Sequence, residues 1–195
     1  MRHNRESGNN RSTREFLIAR SRTGLRDGGQ AKYSAIGLKE LSRRFPGLTT
    51  GRAFVETAMN QLETAIQFGV LLIRIDRFTQ QEDELGPEGA TRLLLDAARA
   101  VDRICESEGA VWGLIERDLF GCFLPEMPDS LCMETADEIR AELAHRRKNT
   151  LTIGITEYPL FQFTRIQTLK NARKALDHAA FSGPAGTAVF GADSL

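Results

Sequence analysis

The sequence predicts one mixed α/β domain, a central mixed sheet flanked by helices, behind a basic N-terminal tail. Three observations carry this. Short apolar runs such as 69–76 and 149–156 alternate along the chain with stretches at helical spacing. Two such runs, 110–115 and 119–124, are separated only by a short turn, which marks a hairpin within the sheet. The formal net charge is zero, yet residues 1–50 hold eleven Lys and Arg against four Asp and Glu, so the remainder is acidic.

The elements follow in order. Residues 1–30 are rich in Arg, Ser, Asn and Gly and poor in large apolar side chains. Such a segment buries too little surface to offset its ordering entropy, so 1–34 is expected to be a disordered tail. Residues 35–45 show helical spacing at Ile36, Leu38 and Leu41 and stop at Pro46-Gly47. That predicts a lead-in helix and breaker over 35–47.

The domain proper is expected over 48–195. Its first helix should be capped at Thr49 or Thr50 and run to about Gln67, with Phe54, Val55, Ala58, Leu62, Ala65 and Ile66 on the inner face. Residues 69–76 are almost continuously apolar, as suits a central strand covered on both faces, with Arg74 interrupting the run near its end. A loop over 79–84 and a helix start near Pro87 come next. That helix runs to about Glu108 with Leu94, Ala97, Ala98, Val101 and Cys105 inward. After the hairpin come a helix from Ser130 to Arg147, a strand over 149–156 and a helix over 169–181. A Gly183-Pro184-Ala185-Gly186 turn leads to a short strand over 187–190.

Several function classes are disfavoured. No run approaches the roughly 20 apolar residues of a membrane-spanning helix, and the N-terminus lacks a signal-peptide core, so a cytoplasmic location is expected. Cys105, Cys122 and Cys132 lie in apolar patterns without metal-type or redox-type spacing and read as buried small hydrophobes. His3, His145 and His178 are scattered, so no metal and no cofactor is expected. The tail has the charge to meet nucleic acid, an anionic membrane or an acidic partner, but lacks interleaved aromatics and reads first as a solvated linker. Trp112 reads as a core residue. Arg146-Arg147-Lys148 reads as a helix end complementing the dipole.

The most informative stretch is the hairpin turn, Glu116-Arg117-Asp118-Leu119-Phe120. Before it, Arg74-Ile75-Asp76-Arg77-Phe78 ends the first strand, with Asp83 following. Residues 43–54 keep a Gly, a Leu, an Arg and a Phe in an opening block, 150–155 end in Gly-Ile, and 172–180 carry Ala-Arg-Lys-Ala-Leu. Taken in this order, these blocks resemble the GGDEF family over about 43–190, a cousin of the class III nucleotide cyclase palm.

The resemblance implies a fold and a chemistry to test. Diguanylate cyclases condense two GTP molecules across a homodimer, using metal ions held by carboxylates. The two metal positions correspond here to Arg74 and Asp118, of which only Asp118 is an acid. The signature glycines correspond to Glu116 and Arg117, where a Cβ hinders phosphate approach and disfavours positive φ. The fourth signature acid corresponds to Leu119. The guanine contacts correspond to Glu82 and Ala90, and the triphosphate-contacting Lys of the last helix to Ala180. The product-inhibition motif corresponds to 107–110, which cannot grip a cyclic dinucleotide.

The resulting expectation is a GGDEF-like domain that is not an enzyme and acts as a signalling adaptor or regulatory protein-interaction module in a cyclic di-GMP-related pathway. Its partner is an unidentified protein, the family's homodimer surface being available to a second copy or to another chain, and nucleotide binding is disfavoured. The alternatives are a GTP or cyclic di-GMP sensor, a weak cyclase, or a tail-driven nucleic-acid or membrane binder. Arg74 is expected to pair with Asp118, to face solvent, or to contact phosphate in place of a metal.

Overall fold

The structure is a computed structural model that describes residues 30–146, 148–158 and 165–191. The predicted tail lies outside these residues except for 30–34, which open a helix instead of closing a disordered segment. In chain order the elements are α1 (Gln30–Arg44), β1 (Thr49–Thr50), α2 (Gly51–Thr64), β2 (Phe68–Ile75), α3 (Phe78–Ser107), β3 (Val111–Glu116), β4 (Leu119–Pro125), α4 (Asp129–Arg146), β5 (Leu151–Tyr158), α5 (Arg165–Phe181) and β6 (Thr187–Val189).

The strands form one six-stranded sheet in the order β1-β3-β4-β2-β5-β6. β2 lies at its centre, antiparallel to β4 and β5, while β1 runs parallel to β3 and β6 parallel to β5. This is the mixed sheet the sequence predicts. Because side chains alternate along a strand, β2 feeds two cores. Leu71, Ile73 and Ile75 pack under α1, α3 and α4. Phe68, Val70 and Leu72 pack with Phe54, Val55 and Ala58 of α2 and Leu169, Ala172 and Leu176 of α5.

Glycines in the strands admit the helices. Gly113 and Gly121 are cross-strand partners, and a Cβ on either would lie within 2.7 Å of the Phe54 ring. The pair forms the recess that ring fills. A Cβ on Gly154 would meet the Leu176 backbone nitrogen at 2.2 Å, so α5 rests directly on β5.

Several expectations are corrected. Residues 79–84 are helical, not a loop. They form the first turns of α3, and the break comes at Gly86 (φ 66, ψ −178), after which Pro87 starts the longer segment. Pro cannot donate an N–H there, and only glycine tolerates that backbone conformation readily. α2 ends at Thr64, so Ile66 leaves the core and is 88% exposed. Thr50 occupies the N-cap position without a side-chain cap bond. Trp112 is half-buried, with Phe45 edge-on at 5.5 Å and its indole N–H donating to Asp102 at 3.0 Å. The two-residue strand β1 has no signal in the sequence. Among the described residues no helix is long and apolar enough to cross a membrane.

Candidate functional site

The β3–β4 hairpin turns at Arg117 and Asp118, between Glu116 at the end of β3 and Leu119 at the start of β4. A register shift between Leu114 and Glu116 absorbs the irregularity. Neither turn residue takes positive φ: the non-glycine residues that do, among those described, are Arg77, Glu126 and Ala185. The expectation that a Cβ at 116 or 117 meets a positive-φ demand is therefore corrected. The turn is fixed to the strand beside it, with the Ile75 N–H donating to the Asp118 carbonyl at 3.0 Å.

Arg117 points back onto α3. Its guanidinium donates to Glu82 Oε2 at 2.5 Å and to Thr79 Oγ1 at 2.7 Å, and lies 5.3 Å from the Phe78 ring centroid. Phe78 and Glu82 share a face because they are four residues apart on a helix. Glu82 is buried, and burial pushes its carboxyl above the usual range, with Asp83 and Asp118 adding to the effect and Arg117 opposing it. Phe78, Glu82, Ala90, Leu94 and Arg117, with Leu38 of α1, enclose a cavity of about 10 Å³. That is room for at most a single water.

Glu116 is held on the other side of the turn. Arg173 of α5 donates to it at 3.1 Å and lies 3.6 Å from Asp177. Leu119 and Phe120 are buried on opposite faces of the sheet, one in each core.

Asp118 and Arg74 form no direct hydrogen bond or ion pair among the described residues, so the expected pairing is corrected. Arg74 is half-buried at the end of β2, opposite Leu119, and is not simply turned to solvent. Burial pushes the Asp118 carboxyl above its ordinary value, while the charges of Arg74 and Arg117 pull it back and Glu116 pushes it up. One carboxylate flanked by two guanidinium groups is a poor donor set for a divalent cation. Among the described residues no group of three or more His, Cys, Asp or Glu is arranged to hold a metal ion.

Asp76 is a brace. It accepts from Thr150 Oγ1 at 2.6 Å, Thr152 Oγ1 at 2.5 Å and the Ala185 N–H at 2.8 Å, tying β2 to β5 and to the loop before β6.

The structure thus brings Glu82 and Ala90 to one cavity with Arg117, whereas Ala180 is exposed on α5 and does not line it. Sequence reasoning missed Arg173, although a signal was present. Arg173 is a cation in the block 172–180, and its charge complements that of Glu116. A loop over 79–84, as the sequence predicts, gives Thr79 no role; the helix that forms there instead brings its hydroxyl to Arg117.

The sequence profile described as diguanylate cyclase, GGDEF domain, matches residues 48–184, more than half of the chain. The chain belongs to the GGDEF family. Solved structures agree on the fold. The GGDEF domain of TpbB, or YfiN, from Pseudomonas aeruginosa is 26% identical, with a TM-score of 0.65 over 73% of this chain and 90% of that one. The diguanylate cyclase SiaD of Pseudomonas aeruginosa, solved with its activator SiaC, is 22% identical, with a TM-score of 0.66 over 94% of this chain and 75% of that one. The active GGEEF domain of a Vibrio cholerae diguanylate cyclase is 16% identical, with a TM-score of 0.61 over 69% of this chain and 90% of that one. No curated protein sequence matches.

Family membership corrects one expectation. The sequence predicts a non-enzyme, but the matching family is one of diguanylate cyclases, and the same fold houses an active one. The altered signature turn does not remove the chain from that family.

Proposed function

We propose that this GGDEF protein works in a cyclic di-GMP pathway as a regulatory module that acts through contact with another protein. The observation that carries this reading is the orientation of the signature turn. Arg117 is tied to Glu82 and Thr79, and Glu116 to Arg173, so these two side chains are engaged with the domain itself on either flank of the turn. A turn fixed on both flanks presents a rigid surface, which suits protein recognition because little ordering is required on binding. One relative of the same fold, SiaD, was solved with a protein activator.

A second reading, a guanine-nucleotide site at the hairpin, draws on Asp118, an acid at a position the family uses for metal, and on Glu82 and Ala90 meeting at one cavity. Two measurements on the full chain separate the readings. Affinity capture from the native cell should recover a cyclic di-GMP synthase, hydrolase or receptor in stoichiometric amount. Recovery of the chain alone, together with micromolar calorimetric binding of GTP in Mg²⁺, would favour the nucleotide site.

A further inference from the structure

We infer that the outer edge of β6, with the groove between it and α5, docks an extended acidic segment of a partner protein. This names the partner chemistry of the regulatory module and so rests on that reading.

Among the described residues no strand pairs with the outer edge of β6. The Ile153 N–H donates to the Gly186 carbonyl at 2.9 Å and the Phe190 N–H to the Ile155 carbonyl at 2.8 Å, so Gly186 and Phe190 face β5. Backbone direction alternates along a strand, which turns the N–H and C=O of Thr187 and Val189 outward. An extended peptide can pair with these groups by adding a strand. The edge is also held in place. Before it, the Ala185 N–H donates to Asp76 at 2.8 Å, and Arg140 donates to the Ala185 carbonyl at 2.6 Å.

Beside the edge lies a groove of about 640 Å³, lined by Lys174 and His178 of α5 and by Ser182, Thr187, Val189 and Phe190. Among the described residues Lys174 and His178 are the only ionisable side chains in that lining, and no Asp or Glu joins them. Lys174 sits 5.5 Å over the Phe190 ring. Asp177, the nearest acid on the helix, is turned to Arg173 at 3.6 Å. The Thr187 hydroxyl is buried, without a hydrogen-bond partner among the described residues. Phe181, 92% exposed, continues the stripe of Lys174 and His178 at i+7. The complement is an extended chain with carboxylates toward α5 and an apolar residue near Phe181. A second copy of β6 fits poorly, because it would bring two sets of Lys174 and His178 together.

The test uses the full chain, ¹⁵N-labelled, titrated with a synthetic heptapeptide of alternating Val and Glu and with its Val and Lys counterpart. The expected result is a shift of the Thr187 and Val189 amides with the Glu peptide alone, with hydrogen exchange at those amides slowed about tenfold or more at saturation. Lys174→Glu and Val189→Pro should each weaken binding about tenfold, a difference of about 1.4 kcal/mol. Should Val189→Pro fold poorly, Lys174→Glu and the exchange readout decide alone. Unmoved amides, equal response to both peptides, or indifference to Lys174→Glu would overturn the inference. So would protection of these amides in a concentration-dependent dimer without peptide. Because the readout sits on β6, its failure removes this surface without touching the reading of the turn, which partner capture tests separately.

Discussion

Arg117 of the hairpin turn donates to Glu82 of α3 at 2.5 Å, across 35 residues of sequence. This contact ties the signature turn to the first turns of α3. Arg suits the role because its planar group meets a carboxylate and a hydroxyl at once while resting on the Phe78 ring.

A double-mutant cycle should measure that tie. Arg117→Ala and Glu82→Gln are each expected to destabilise the fold, and together by less than the sum. The coupling should be about 1–3 kcal/mol, as for contacting residues in one network. Urea unfolding of the four proteins reads it, and additive effects would show that the contact contributes nothing.

Asp118 should make stability depend on pH in a defined direction. Burial raises its folded-state pKa above the ordinary 3.8. The folded state then keeps the proton where the unfolded state has lost it. The contribution of Asp118 to stability therefore falls as pH rises from about the ordinary value through the raised one. Asp118→Asn should be more stable than the parent at neutral pH, and the advantage should vanish below the ordinary value. Thermal melts of both proteins across pH 3–8 would show the curves converging on the acid side.

Asp76→Ala removes three hydrogen bonds to one carboxylate and should cost about 2–4 kcal/mol. Hydrogen exchange at residues 185–189 should rise in the variant before global unfolding does, because the loop entering β6 loses its anchor.

Gly154→Ala should cost about 1–3 kcal/mol, since the new Cβ meets the backbone of Leu176 and not a side chain that can turn away. A denaturation midpoint equal to that of the parent would show that α5 can shift freely on the sheet.

The fold was legible because it is written in patterns that tertiary context rarely overrides. Residues 69–76 read as a central strand from composition alone, and β2 pairs on both sides. The buried positions Leu94, Ala97, Ala98, Val101 and Cys105 followed from helical spacing. The α3 start misled because Gly86 and Pro87 mark a break between two helical segments, and the polar run before them looks like a loop. Ile66 was misplaced because α2 stops one turn earlier than its apolar pattern does. In the site, Glu116 and Glu82 follow from the resemblance, but their partners do not. Arg117 reaches Glu82 and Arg173 reaches Glu116 only after the sheet brings distant segments together, and no spacing rule predicts that. The non-enzyme expectation rests on several substituted positions taken together, and it is overturned because the family that the chain matches over 48–184 is one of diguanylate cyclases.

The central claim is that Arg117 closes the cavity at Glu82 by turning inward. Calorimetric titration of the full chain with GTP and Mg²⁺, comparing the parent with Arg117→Gly, tests it most directly. Removing the guanidinium frees the Glu82 carboxylate to accept from the guanine N1–H and amino group and clears the space it fills. The account predicts that Arg117→Gly binds GTP at least about tenfold more tightly than the parent. Equal affinity, or tighter binding by the parent, would contradict it.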